Sequence, residues 1–321
     1  MSKKPVVVAG RKLPEAVEAR LTRDYDARLN PGDTLYTSDE LIALCDGADA
    51  ILPCHTEHLG AEVIARLPGG IKAIANFSVG YDHVDTAAAK KRGIIVTNTP
   101  DVLSDATAEI AMLLLLGAAR RAHEGEKTMR EGLWDSWSPT FMLGTQVSGK
   151  RLGIVGMGRV GQVMAKRARG FDMEIHYYNR RRLEAGAEAG AVYYDSPEKL
   201  FPHCDFLSLH CPATPETENF LNAERITLLP DGAIVVNTAR GAIVDEPALV
   251  AALQSGKIAA AGLDVFAKEP TQNCAFKDLA NTFLLPHLGS ATVETRNAMG
   301  FRALDNLDAV FAGREPKDRV A

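Results

Sequence analysis

Three polar side chains stand at the ends of apolar runs late in the chain. Arg240 closes Asn237-Thr238-Ala239-Arg240 after Ile234–Val236, Glu269 closes Gly262–Glu269, and His287 follows Leu284-Leu285-Pro286. If the runs are strands of an open parallel sheet, their C-terminal ends share the edge where such sheets bind ligands. An Arg, a Glu and a His delivered there suit the reduction of a 2-keto acid. The Arg would hold the carboxylate and polarise the carbonyl, and the His would donate a proton as hydride reaches the carbon. The Glu would orient the imidazole and stabilise its cation. Singly, each has a plainer reading: a strand-end cap, a Glu-Pro turn, a loop histidine. Their order, downstream of a cofactor loop, favours the chemistry.

That loop is Gly156-Met157-Gly158-Arg159-Val160-Gly161, between the apolar run Leu152–Val155 and an amphipathic stretch from Val160 to Arg169. A strand before G-x-G-x-x-G and a helix after it form the context of a dinucleotide site. The first glycine turns the chain, the second admits the pyrophosphate, and the third lets helix and strand pack. A carboxylate selecting NAD normally ends the next strand. Here the chain reads Tyr178-Asn179-Arg180-Arg181-Arg182. No acid repels a 2′-phosphate and three guanidinium groups are at hand for one, so NADP(H) is the expected cofactor.

The elements that must position these groups fall into two series. Val6–Ala9, Ala50–Leu52, Ile71–Ala75 and Ile94–Val96 read as strands, separated by helical stretches at 14–23, 38–45, 61–66 and 84–92. A long helix is expected from Ser104 towards Arg130; its apolar middle, Ile110–Leu116, predicts burial between domains or at a subunit contact. The connector Gly132–Ser148 carries Trp134, Trp137, Pro139 and Phe141, a dense set of large side chains for a loop. The second series has strands at 151–155, 173–179, 206–210, 234–237, 260–263 and 282–285, and a helical tail at 291–312 expected to return to the first domain. Such alternation predicts an α/β fold with two doubly wound parallel-sheet domains.

Bulk composition narrows the function classes. The chain has 321 residues, 46% hydrophobic and 24% charged, with a net charge of −5. No basic excess exists to neutralise phosphates, so nucleic acid is not an expected partner. No apolar stretch is long enough for a leader or a membrane span, and the five scattered cysteines suit a reducing cytoplasm. Cys54-His55-Thr56-Glu57-His58 has no second ligand pair at a zinc-like spacing and reads as a loop, so no metal is expected.

The chain resembles the D-isomer-specific 2-hydroxy acid dehydrogenases, above all the glyoxylate/hydroxypyruvate reductase branch. Ser78–His83, Thr99–Leu103, Ala106–Glu109, the Gly156 loop, the Arg240, Glu269 and His287 segments, Gly289–Thr292 and Thr295–Asn297 carry the likeness over nearly its whole length. The resemblance implies a Rossmann cofactor domain (101–287) inserted into a flavodoxin-like substrate domain (1–100 and 288–321). It implies Arg240, Glu269 and His287 as the catalytic set, with Val79, Gly80 and Ser290 also at the substrate; His83 would only support that loop. Thr107, Gly156, Gly158, Arg159, Val160 and Gly161 would meet the cofactor, as would Asn179, Arg180, Arg181 and Pro212. Thr238, Asp264 and Gly289 would complete that set. The activity implied is NADPH-dependent reduction of glyoxylate or hydroxypyruvate to glycolate or D-glycerate by a homodimer, with Trp137 or Phe141 reaching the neighbouring subunit's substrate. A reductase of 2-ketogluconate or an aromatic pyruvate, or a dinucleotide-sensing interaction protein, are the alternatives.

Overall fold

The computed structural model describes residues 3–321; Met1 and Ser2, the start of the segment read above as lacking a leader, lie outside it. In chain order the strands are β1 (Val6–Ala9), β2 (Asp26–Arg28), β3 (Ala50–Leu52), β4 (Ala73–Ala75), β5 (Ile95–Thr97), β6 (Arg151–Val155), β7 (Glu174–Tyr178), β8 (Val192–Tyr194), β9 (Phe206–Leu209), β10 (Ala233–Asn237), β11 (Ile258–Leu263) and β12 (Thr282–Leu284). The helices are α1 (Glu15–Asp24), α2 (Ser38–Leu44), α3 (Ala61–Arg66), α4 (Thr86–Lys91), α5 (Ser104–Ala119), α6 (Ala122–Arg130), α7 (Arg159–Arg169), α8 (Ala185–Glu188), α9 (Pro197–Leu200), α10 (Ala223–Leu228), α11 (Glu246–Ser255) and α12 (Val293–Phe311). No helix among the described residues is long and apolar enough to cross a membrane.

The chain divides into two compact units, one running to Leu103 and completed by Ala291–Ala321, the other spanning Ser104–Ser290. The first holds a five-stranded parallel sheet in the order β2-β1-β3-β4-β5, the flavodoxin-like order. Val7, Ala50, Leu52, Ala73 and Ala75 on one face pack with Val17 and Leu21 of α1 and Met299, Ala303, Leu304 and Leu307 of α12. Val8, Ile51, Ile74 and Val96 on the other face a second cluster. Period-two alternation thus feeds two cores, which is why these strands are apolar throughout.

The second unit holds a seven-stranded parallel sheet, β12-β11-β10-β9-β6-β7-β8. The reversal between β6 and β9 is the switch point of a Rossmann sheet. Both faces are covered by apolar clusters.

One expectation needs correction. The helix from Ser104 does not continue to Arg130. It ends at Ala119, and Arg121, at φ +55°, reorients the chain into α6. Thr145 donates its N–H to Ala119 O at 2.8 Å, so the returning connector supplies the helix end with a donor. Much of the apolar middle of α5 packs within its own unit, where Ala111, Leu114, Leu115 and Ala118 join Leu152, Ile154 and Val236 in one cluster, while Leu113 is 45% exposed.

Candidate active site

At the end of β6 the chain turns at Gly156 with φ +93°. A Cβ there would lie 2.5 Å from Cys211 N, so both conformation and space require glycine. A Cβ on Gly161 would lie 2.3 Å from Gly156 O, which is the close helix–strand approach expected of the third glycine. Gly158 differs: nothing lies within 4 Å of its Cβ position, and it caps α7 without a side chain. The first-turn amides of this 11-residue helix therefore border open space, flanked by exposed Arg159 and half-buried Val160. A cradle of N–H groups at a positive helix end, with room beside a bare glycine, fits the pyrophosphate of a dinucleotide.

The loop after β7 lies against this turn. Asn179 Oδ1 accepts the Met157 N–H at 2.7 Å. Arg180 and Arg181 are exposed and form no ion pair among the described residues. Arg182 does not join them: its Nε and one terminal nitrogen donate to the two Glu188 oxygens at 2.8 and 3.0 Å. Of the three guanidinium groups expected to be at hand, two remain.

Further strand ends carry the other expected cofactor residues. Buried Thr238 follows β10, with its Oγ 3.4 Å from His210 Nδ1. His210 Nε2 lies 2.8 Å from Ser208 Oγ. Loss of solvent pushes the His210 imidazole down to about 4, so it is neutral at pH 7. Pro212 is exposed beyond β9, and its carbonyl accepts from Thr217 Oγ1 at 2.7 Å. Thr107, buried in the first turn of α5, approaches Gly289: a Cβ on that glycine would be 3.4 Å from its methyl.

The three catalytic candidates are fixed by their own loops. Buried Asn237 accepts the Ala239 N–H and donates to Arg240 O, both at 2.9 Å, which shapes the turn presenting half-buried Arg240. The Arg240 side chain donates to Ala239 O at 2.8 Å. Next to it, a Cβ on Gly241 would sit 1.9 Å from the carbonyl carbon of Phe266, so the Arg240 turn is pressed onto the loop leading to Glu269. Glu269 Oε1 accepts the Phe266 N–H at 2.7 Å, and Oε2 lies 2.5 Å from His287 Nδ1. With an ionised Glu269 accepting, Nδ1 carries the proton and Nε2 is left to exchange one with a substrate.

His287 itself has φ +54°, an uncommon conformation for a residue with a side chain. It is held by hydrogen bonds on both sides. The His287 N–H reaches Asp264 O at 2.9 Å, and the Leu288 and Gly289 N–H groups reach the two Asp264 carboxylate oxygens at 2.6 and 2.8 Å. Burial pushes Asp264 up to about 6, against the pull of those two amides. Its carboxylate, expected at the cofactor, is engaged in holding the histidine loop. Ser290 follows, half-buried.

In the first unit, Asn98 Nδ2 donates to Val79 O at 2.8 Å and Ser78 Oγ to Gly80 O at 2.6 Å, which fixes the loop, and among the described residues the Val79 and Gly80 N–H groups make no backbone hydrogen bond. His83 is buried, its Nε2 3.0 Å from Asn76 Oδ1. Because Asn76 Nδ2 donates to Thr97 O, that oxygen must accept and His83 Nε2 must donate. Asn237, Gly241 and Glu188 were not singled out from sequence. Asn237 and Gly241 carried a signal, flanking Arg240 at a strand end, whereas Glu188 carried none.

The family model for D-isomer specific 2-hydroxyacid dehydrogenase, NAD binding domain, matches residues 112–289. The glycerate dehydrogenase of Hyphomicrobium methylovorum is 48% identical, over 98% of this chain and 98% of its own. The glyoxylate reductase of Thermococcus litoralis is 43% identical over 99% of this chain and 97% of its own. Among solved structures, the NADPH-dependent glyoxylate/hydroxypyruvate reductase of Sinorhizobium meliloti, in complex with NADP and malonate, superposes with a TM-score of 0.89 at 34% identity, covering 99% of this chain and 97% of that one. The glycine cradle, the buried strand-end turns and the His287–Glu269 pair therefore sit in an oxidoreductase built for a nicotinamide dinucleotide, and the chain belongs to the D-isomer-specific 2-hydroxyacid dehydrogenase family.

Proposed function

We propose that this protein reduces glyoxylate or hydroxypyruvate to glycolate or D-glycerate with NADPH. The observation that carries the chemistry is the Glu269–His287 hydrogen bond, whose far end is tied to the Phe266 N–H. It keeps the Nδ1 proton on the Glu269 side, so that the imidazolium, carrying a second proton on Nε2, gives that Nε2 proton to the carbonyl oxygen as hydride arrives and is left neutral. Arg240 binds the substrate carboxylate and polarises the carbonyl; on the first unit, the Val79 and Gly80 N–H groups are proposed as carboxylate donors. Ser290 adds a hydroxyl next to this set. A bound reduced nicotinamide supplies the hydride. The Gly156–Gly161 turn holds its pyrophosphate, with Arg159, Val160, Thr107, Pro212, Thr238 and Gly289 around it. Arg180 and Arg181 take the 2′-phosphate, and Asn179 keeps their loop against the turn.

The partner is a second copy of the chain. Met129, Leu133, Trp134, Trp137, Phe141 and Leu143 are exposed apolar residues of one short region, Trp137 at 74%, more than a monomer commonly leaves bare. A concavity of about 560 Å³ beside it lies at the N-terminal ends of β10–β12, away from the catalytic strand ends. The cytoplasm suits this assembly, since none of the five thiols is paired. Loss of reduced-nicotinamide absorbance on mixing protein, NADPH and glyoxylate tests the activity. Absence of turnover with either keto acid, or equal kcat/KM for NADPH and NADH, would overturn the corresponding half of the reading.

A further inference from the structure

Glu188 stands outside the glycine loop, at the C-terminal end of the four-residue α8, and is 7% exposed. A carboxylate that buried must be paired. It is: Glu188 Oε1 accepts from Tyr177 OH at 2.5 Å and from Arg182 Nε at 2.8 Å, and Oε2 from the second Arg182 nitrogen at 3.0 Å. Tyr177 OH in turn accepts the Leu183 N–H at 3.1 Å, and Glu188 O accepts from Arg169 of α7 at 3.1 Å. The Arg182 guanidinium also lies 5.7 Å over the Tyr193 ring. The two donors hold the Glu188 carboxyl well below the usual carboxylate range, at about 2, so it stays charged at any working pH.

These contacts close a ring around residues 179–183. Asn179 is tied to Met157 at one end, Leu183 to Tyr177 at the other, and Arg182 is withdrawn from the open side. Arg180 and Arg181 remain, both exposed and without an ion pair among the described residues, with the charge of exposed Glu216 near enough to Arg180 to be felt. A flexible guanidinium loses rotamer freedom when it grips phosphate, and a loop already fixed at both ends lowers that cost.

We propose that Glu188 is the positioning residue of the 2′-phosphate site: by gripping Arg182 and Tyr177 it fixes the Asn179–Leu183 loop, so that Arg180 and Arg181 alone select NADPH. The inference rests on the NADPH reading above. It differs from the simpler expectation that all three arginines bind phosphate, and the two ideas predict opposite signs. If Arg182 were a phosphate ligand restrained by Glu188, releasing it would tighten binding. If Glu188 sets the loop, releasing Arg182 weakens binding.

The test is calorimetric binding of 2′,5′-ADP and 5′-AMP to wild type, Glu188→Gln and Arg182→Gln, alongside KM and kcat for NADPH and NADH. In Glu188→Gln, affinity for 2′,5′-ADP and KM for NADPH should worsen about tenfold, the worth of one charge-assisted contact set loose. The 5′-AMP affinity, the KM for NADH and kcat should stay within about twofold. Arg182→Gln, at a side chain 64% exposed, should lose about the same, and the double variant, which leaves no unpaired carboxylate, no more, because both act through one contact; a thermal melt of each variant confirms that it is folded at the titration temperature. Unchanged or tighter 2′,5′-ADP binding in either variant overturns the role of Glu188 and leaves the NADPH reading standing. Wild-type protein that binds 2′,5′-ADP no better than 5′-AMP overturns the NADPH reading itself, and this inference with it.

Discussion

At the scale of single residues, the site depends on which atom of each ring or carboxylate is already engaged. Glu269 spends one oxygen on Phe266 N–H and the other on His287 Nδ1. Replacing it with Gln puts an amide there that can rotate its N–H₂ towards Nδ1 and favour the wrong tautomer. Glu269→Gln should therefore cut kcat with glyoxylate about 10²-fold, and His287→Asn about 10²–10⁴-fold, with cofactor affinity by fluorescence titration unchanged in both. His210 makes the opposite case, a ring kept neutral rather than used. Its folded pKa, about 4, lies below the unfolded value near 6.5. The stability it contributes is thus complete above pH 6.5 and is lost as pH falls towards 4. Half-buried as it is, the ring should account for about 1–2 kcal/mol over that interval. Denaturant melts of wild type and His210→Asn should converge on acidification; parallel pH dependence would show that the ring does not titrate in this way.

At the scale of elements, function rests on how closely loops are pressed together. The Arg240 turn and the loop to Glu269 touch at Gly241, where a Cβ would stand 1.9 Å from Phe266. Gly241→Ala must push these two loops apart, which should destabilise the protein by about 1–3 kcal/mol and lower kcat/KM by more than the loss of folded protein. A melt combined with active-site titration separates the two effects. The 132–148 connector is the element to test for substrate size. With Trp137 removed, kcat/KM for a branched 2-keto acid relative to glyoxylate should rise about tenfold, while an unchanged ranking leaves the side chain to dimer packing. The interior strands were legible because strands covered on both faces are apolar throughout. Two short edge strands were not: Asp26-Ala27-Arg28 carries no apolar run, and Val192-Tyr193-Tyr194, only three residues long and half-exposed, is too short for its pattern to mark a strand. The catalytic candidates drew notice because each lies on the loop that follows such a strand. The fate of Arg182 was not, since its partner lies six positions on, across a turn and a short helix that no periodicity marks. The end of α5 was equally hidden, because a left-handed Arg121 has no signature when glycine is absent.

At the scale of the whole molecule, the order of the chain and the order of its units disagree. The first unit is interrupted after Leu103 and completed only by Ala291–Ala321, whereas the second is one continuous stretch. The consequence is asymmetric. Residues 104–290 contain both apolar clusters of the seven-stranded sheet, the glycine turn and the Arg180–Arg181 loop, so that fragment should fold alone and bind a dinucleotide. Residues 1–290 lack α12, whose Met299, Leu304 and Leu307 are nearly or fully buried against the first sheet. At about 1.5–3 kcal/mol for each large side chain, their loss approaches the whole stability of a domain. Helix α12 also brings Asp308 to Arg20 of α1 at 2.7 Å, and Arg302 and Asn306 anchor Asp318 of the tail. The 1–290 fragment should therefore show one unfolding transition, matching that of 104–290, with the first unit exposed to protease at every temperature. Adding a peptide of residues 291–321 in excess should restore protection. A first unit that resists protease without α12 would mean that the five-stranded sheet and its N-terminal helices are a sufficient core, and that the C-terminal return serves something other than folding.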